Sequence, residues 1–536
     1  MAEEINIKKN NVASYIEARA RTQPHSIALI SKSKMLFADN KLHKITFKHL
    51  NKLMNGFAKF FIHEKILPGN KIVVLVPISI ELYASILGLV KIGAVPVLYE
   101  AKELQHQLNL SLDTLEPDAV ITLPKISLVL SLNKKYQSIR KKIILKKSGL
   151  DDAKKYRNAS ILRVDPLDPA LITFTSGSEG IPKGICRSHR VLARQHEVLQ
   201  KYLRLNNKDV ILTTLPVFAL DMIASGATVI VPPLKNNLPW STVPSKTIEI
   251  INNYNVNILM GSPAFLDSFI RWAIKKRIKL YGIKKVYVGG GFLERDLIDR
   301  LRESLPKKCE IMTIYGSTEV EPVSIAAPER SKVYNHKYGF NGYFVGKPVD
   351  EIKLRIVRFL GKKQGTDLLD VSNGSIGEII INGSHVNDNY FPKEPAWSNN
   401  KVGDPDGNIW HRMGDAGYLD KYKNLWLTGR FKHLPDEATR DYKPFLKLES
   451  QLKRLEYVRR VSFLKSSKKI SLLLIECKYK NFLEYLMKRK LWEHEVLNIC
   501  GKNHLNLNVQ LCTKLALDRR HNSKIDYQKA RRKFIK

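Results

Sequence analysis

Cysteine is scarce in this chain and is never paired. The five copies, Cys186, Cys309, Cys477, Cys500 and Cys512, include no C-x-x-C spacing, which argues against a zinc site or a disulfide framework and fits a reducing compartment. Long apolar runs are missing as well. The nearest, around Ala84 to Tyr99, is broken by Lys91 and Gly93, short of the roughly 18 residues that a membrane span needs. The opening residues, Met1-Ala-Glu-Glu-Ile-Asn-Ile-Lys-Lys, carry no apolar stretch of signal-peptide type. Acid is the third shortage: 51 Asp+Glu stand against 89 Lys+Arg, a formal net charge of +38. That balance favours acidic partners such as an anionic lipid surface or an acidic carrier protein. No RNA-recognition, zinc or helix-turn-helix signature accompanies it, so specific nucleic-acid binding is not expected. The expected location is cytoplasmic, peripheral at most to a membrane.

At 536 residues, 44% of them hydrophobic, the chain can bury a large core and divide into domains. Lys71-Ile-Val-Val-Leu-Val, then Glu81 to Ile92, then Ala94-Val-Pro-Val-Leu-Tyr predicts strand, helix, strand, with Gly93 as the helix stop. Short Val/Ile runs recur at Val210-Ile-Leu-Thr-Thr, Ala227-Thr-Val-Ile-Val, Val256-Asn-Ile-Leu-Met and Lys285-Val-Tyr-Val, with helical stretches between. Such alternation predicts an α/β fold of parallel sheets covered by helices. Past Gly429-Arg430 the character changes: residues 431–536 hold 26 Lys+Arg against 11 Asp+Glu. That piece has its own apolar strand (Ile470-Ser-Leu-Leu-Leu-Ile) and a helix from Asn481 to Leu491, enough for a small α/β domain. The expected division is 1–431 and 432–536.

Four islands carry the chemistry. In the first, the β-type run Ala170-Leu-Ile-Thr-Phe-Thr175 breaks into Ser176-Gly177-Ser178-Glu179-Gly180-Ile-Pro-Lys183-Gly. Hydroxyls, bare backbone and one lysine suit a polyphosphate, yet this is not a Walker loop, because Lys183 is followed by Gly184. The second, Tyr315-Gly316-Ser317-Thr318-Glu319, offers a ring for a purine, with a hydroxyl and a carboxylate within reach of phosphate and Mg²⁺. The third, Gly414-Asp415-Ala-Gly-Tyr with Gly429-Arg430 downstream, offers a carboxylate for vicinal ribose hydroxyls and a guanidinium to fix the same sugar. The fourth is Arg520-His-Asn-Ser-Lys524 near the end of the sequence.

In order and spacing these islands resemble the adenylate-forming superfamily of acyl-CoA synthetases and peptide-synthetase adenylation domains. Within it, Tyr315-Gly-Ser-Thr-Glu-Val-Glu-Pro-Val and Arg520-His-Asn-Ser-Lys524 look most like the fatty-acyl branch, nearest to olefin-pathway β-lactone synthetases and fatty-acid ligases. The resemblance implies a large N-terminal domain of two parallel sheets and a small distorted barrel, followed by a mobile C-terminal domain. It implies that Thr175, Ser176, Gly177, Ser178, Gly180 and Lys183 line the ATP phosphates. Tyr315 meets adenine, Gly316 is part of the same nucleotide-binding set, Thr318 meets the α-phosphate, Glu319 Mg²⁺, and Asp415 with Arg430 the ribose. Lys524 bridges the acid and the α-phosphate, and Lys432 falls at the hinge. Gly290, in Gly289-Gly-Gly-Phe-Leu, gives backbone approach to the adenylate, and Phe218 walls the acyl pocket. His189 matches a family position for which a structural role is expected.

The implied activity is ATP- and Mg²⁺-dependent adenylation of a small-molecule carboxylic acid, expected to be a fatty one, followed by acyl transfer. CoA is the default acceptor. The alternatives are a phosphopantetheine carrier protein and the β-hydroxyl of a 3-hydroxy acid, which would close a β-lactone. A non-catalytic basic binding protein on the same fold is the rival of another class. Where the family usually has a glycine-containing loop after G-R-K-D, residues 431–449 hold no glycine. That departure leans toward the carrier and lactone alternatives.

Overall fold

The computed structural model describes residues 11–36, 41–99, 111–148 except 113, 151, 160–175, 183–234, 241–330, 342–359, 368–431 except 395, 443–464, 471–479, 481–517 and 525–535. Three large sheets and one small one organise them. The eight-stranded sheet runs Val320–Ala326, Glu310–Ser317, Lys285–Val288, Ile258–Gly261, Val210–Thr213, Thr228–Ile230, Ile27–Lys32, Leu42–Thr46. Its six inner strands are parallel and its two edges antiparallel. A seven-stranded sheet follows the order Asn389–Phe391, Lys183–Ser188, Pro169–Thr175, Val95–Leu98, Lys71–Leu75, Ala119–Thr122, Lys141–Ile144. The apolar runs at 210, 227, 256 and 285 all become strands, as continuous Val/Ile stretches buried on both faces should.

Between these two sheets lies the helix Ile80–Lys91, every residue of which is buried. Ser79 caps it by accepting from Leu82 N–H, and Gly93 follows at φ +76°, the left-handed turn predicted for its stop. A helix buried all round must also satisfy its charges. Glu81 accepts from Ser33 Oγ and from the amides of Lys34, Met35 and Leu36. Lys91 reaches Glu17 and Asn55, each at 2.5 Å. The apolar stretch that looked faintly membrane-like is therefore core. Among the described residues no helix is long and apolar enough to cross a membrane.

The third sheet is antiparallel throughout, in the order Tyr343–Gly346, Leu425–Arg430, Ile409–Leu419, Gly377–Gly383, Ile352–Phe359, Leu368–Asp370, with Lys401–Gly403 beside Ile409–Leu419. It is the element expected as a small barrel. Last come Val458–Leu464, Ser471–Cys477 and Leu507–Cys512, a three-stranded sheet flanked by the helices Lys443–Lys453 and Phe482–Lys502. The second helix runs eleven residues past the expected end at Leu491, because Trp492, Val496 and Cys500 continue its buried face at helical spacing. This sheet packs on the third one: Ala416 belongs to the same apolar cluster as Phe445, Trp492 and Leu473, with Phe431 against it. Lys453 crosses the same contact, donating to Tyr343 Oη at 2.9 Å while paired with Glu449 at 2.8 Å. The expected boundary at 431/432 falls at the edge of 432–442, outside the described residues.

All five cysteines are free and buried. Burial pushes the Cys186 thiol up to about 11, which makes it an inert apolar side chain rather than a nucleophile.

Candidate active site

One reverse turn collects most of the candidates. Glu310–Ser317 is the last parallel strand of the eight-stranded sheet, and it folds back into Val320–Ala326 with Ser317 opposite Val320. Residues 315–319 thus stand where the parallel strands end, the usual place for a ligand crevice in an open α/β sheet. Gly316 is required there, since a Cβ would lie 2.6 Å from Val320 O and 3.0 Å from Glu321 Cγ.

On one side of the turn, Glu319 meets Lys183 at 2.5 Å across 136 residues of sequence. Lys183 opens the strand Lys183–Ser188 and pairs in register with Thr175, so the two ends of the serine–glycine stretch are clamped together. Lys183 Nζ also donates to Asn400 Oδ1 at 3.0 Å and lies 5.6 Å from the centre of the Tyr390 ring. Glu319 is only 6% exposed. Burial alone would raise its carboxyl, but the charge and hydrogen bond of Lys183 outweigh it and hold Glu319 well below the usual carboxylate range.

On the other side, the buried Tyr315 donates its hydroxyl to Asp415 Oδ2 at 3.0 Å across 100 residues. Asp415 and Arg430 are cross-strand neighbours, with Arg430 Nε 3.3 Å from Asp415 Oδ1. Arg430 Nη1 is anchored on Met413 O at 3.1 Å. Burial, then the adjacent carboxylate, raise the Tyr315 phenol well above its ordinary value, so it remains a donor.

The floor of the cleft is a cavity lined by Leu215, Phe218, Met260, Gly289, Gly290 and Ile314, with Gly316 and Glu321 on its wall. Phe218 enters from the helix Pro216–Ala224, and Gly290 follows the strand Lys285–Val288 at φ +74°. The structure thus brings Lys183 to Glu319, Tyr315 to Asp415 and Arg430, and Phe218 to Gly290. Ser176, Gly177, Ser178, Gly180, Lys432 and Lys524 lie outside the described residues, as does the side chain of Thr175. His189 is buried and accepts from Val12 N–H at 3.2 Å, with burial pulling its ring down to about 4. Those contacts fit the structural role expected for it.

Sequence reasoning missed what holds the turn. Arg187 grips the carbonyl of Thr318 with Nε at 3.1 Å and Nη2 at 2.8 Å, and Asn387 N–H donates to Glu319 O at 2.8 Å. The signal for Arg187 was present: it lies two strand periods beyond Lys183, hence on the same face. Asn387 and Asn400 gave none, because their spacing to the turn exists only in three dimensions.

Comparison with known proteins bears on the family and the fold. The family model described as AMP-binding enzyme matches residues 16–391. The chain is similar to an olefin beta-lactone synthetase of Xanthomonas campestris pv. campestris, 27% identical over 473 residues that cover 84% of each chain. It is 31% identical over 283 residues to 4-coumarate–CoA ligase-like 4 of Oryza sativa subsp. japonica, covering 51% of this chain and 47% of that one. In fold it is similar to ATP-bound MatB from Rhodopseudomonas palustris, with a TM-score of 0.74 and 18% identity over 98% of this chain and 99% of that one.

Proposed function

The chain belongs to the AMP-binding enzyme family of adenylate-forming ligases, and from that footing we propose that it couples a fatty or fatty-derived carboxylic acid to the α-phosphate of ATP. One carboxylate oxygen attacks the α-phosphorus, the bond to the β-phosphate bridging oxygen breaks, and pyrophosphate leaves. A single observation carries the reading: residues 183, 315–319, 415 and 430, remote in sequence, meet around one turn. Two anions must approach for this reaction, so the site's work is positioning and charge cancellation, and no protein nucleophile is required.

In this reading the buried Tyr315 ring lies against adenine, and Asp415 exchanges contacts with Arg430 for the vicinal hydroxyls of ribose. Lys183 turns from Glu319 toward the phosphates. Enzymes of this kind use ATP with Mg²⁺, and an ionised, buried Glu319 is the donor such an ion takes alongside phosphate oxygens. When bound, that ion supplies charge neutralisation to the departing pyrophosphate. Lys524 is the proposed bridge between acid and α-phosphate. Supporting this, Tyr527, three residues further on, lies near enough to Arg430 and Asp415 for their charges to act on it.

The test is acid-dependent pyrophosphate exchange across acids of increasing length. Activity that Lys524→Ala abolishes while ATP affinity stays within severalfold is the expected result. Equal turnover in both proteins, or no exchange with any acid, rejects the reading.

For the acceptor, CoA remains the first proposal and a phosphopantetheine carrier the second. A specific observation favours a third, the substrate's own hydroxyl. The relative covering 84% of this chain is named a beta-lactone synthetase. Incubation of a 3-hydroxy acid with ATP, with and without CoA, separates these by mass spectrometry. Lactone formed without thiol supports the third, and thioester only with CoA supports the first.

A further inference from the structure

We propose that the outward face of the helix Phe482–Lys502 is a docking surface for an anionic lipid bilayer, an interaction independent of the catalytic reading above. The inner face of this helix is spent on the core, where Tyr485, Trp492, Val496 and Cys500 are buried. Yet the outer side is not polar. Phe482, Leu483, Leu486, Met487 and Leu491 are between 53% and 76% exposed, and Leu497 is 45% exposed. At about 100° per residue the first five spread over one half of the helix surface within three turns. Isolated surface leucines need no explanation, but five large apolar side chains within three turns of one helix form a patch.

The charges around the patch say what covers it. Lys488 and Arg489 project from opposite edges of the apolar arc and Lys490 from within it, all three exposed. Of the acids on the helix, Glu484 is paired with Lys488 at 3.0 Å, Glu495 accepts from Tyr457 at 2.8 Å, and Glu493 is half-buried. Between residues 478 and 502 there are six Lys+Arg and three Glu. Apolar side chains with long basic ones at both edges, and Lys490 among them, suit a helix lying in a membrane interface: the apolar residues enter the acyl boundary while ammonium and guanidinium groups snorkel to phosphates. A second copy of the chain is the less suitable occupant, since two molecules at +38 repel.

The experiment is co-flotation of the full-length protein with vesicles of phosphatidylcholine alone, and of phosphatidylcholine with about a third phosphatidylglycerol, at low and high salt. Preferential binding to the anionic vesicles, at least about tenfold and weakened by salt, is expected. Leu483→Ser/Met487→Ser/Leu491→Ser should abolish it, and Lys488→Glu/Lys490→Glu should reduce it to the neutral-vesicle level, both with an unchanged melting temperature. Either variant binding like the parent overturns the proposal. So does equal binding to both vesicle types, or a dimer in light scattering that the triple variant dissolves while vesicles are ignored. Loss of pyrophosphate exchange is not a readout here, so a failed catalytic reading leaves this one standing.

Discussion

Replacing Lys183 with methionine should be far more harmful to folding than neutralising its partner. The two charged groups are 2.5 Å apart, with the side chain of Glu319 only 7% and that of Lys183 22% exposed. At an effective dielectric of about 20, unit charges at that separation attract by about 7 kcal/mol, most of which offsets the cost of taking them out of water. Removing the lysine leaves a buried carboxylate without its counter-ion, and a loss of about 3 kcal/mol is expected. Glu319→Gln leaves a lysine that still reaches solvent and Asn400 Oδ1 at 3.0 Å, so about 1 kcal/mol is expected there.

The pH dependence sharpens the contrast. In the parent protein Glu319 is held below its ordinary value. Its contribution is therefore complete above the normal carboxylate range and is lost only as pH falls through the depressed value. In Lys183→Met burial prevails, so the carboxyl rises above its ordinary value and the variant recovers stability as it takes up a proton. Urea titrations followed by tryptophan fluorescence at several pH values would read both effects. The gap between parent and Lys183→Met should narrow between about pH 8 and pH 5. Equal losses for the two variants, or a gap that widens in acid, would refute the pairing as what keeps Glu319 ionised.

Tyr315→Phe keeps the ring and deletes the hydroxyl that bonds Asp415 at 3.0 Å; a rise of about fivefold in the KM for ATP with an unchanged acid KM is expected from one lost hydrogen bond, by steady-state kinetics. Gly316→Ala forces a methyl group within 2.6 Å of Val320 O, so the turn must shift and pyrophosphate exchange should fall by about a hundredfold. Arg187→Met frees the Thr318 carbonyl and should lower kcat more than either KM, with Arg187→Lys rescuing little because it cannot reproduce the fork. Lys453→Met removes the tie to Tyr343 and Glu449, and calorimetry should then show the three-stranded sheet melting as a separate, earlier transition.

Sequence periodicity located the strands at 71, 95, 210, 228, 258 and 285 because parallel strands buried on both faces are written as unbroken apolar runs. The motifs named both halves of each long-range pair, Lys183 with Glu319 and Tyr315 with Asp415, since chemistry restricts the residue types that can serve. What stayed hidden was scaffolding. Arg187 holds the turn by the Thr318 carbonyl and Asn387 by its own amide on the Glu319 carbonyl, contacts that constrain one partner's residue type only weakly, while Asn400 reaches the site by accepting from Lys183 with its side chain, a meeting that exists only in three dimensions. The end of the helix at Lys502 was also misread, because its exposed apolar side blurs the period that marks the buried one.

A consequence follows from where Lys183 is seated. Its strand belongs to the seven-stranded parallel-type sheet, Glu319 closes a hairpin of the eight-stranded one, and Asn400 immediately precedes the strand Lys401–Gly403 of the antiparallel one. One ammonium group is thus a keystone shared by three slabs. Any anion that draws it away loosens the arch from three directions at once, so a reporter fixed to any slab would register the same arrival.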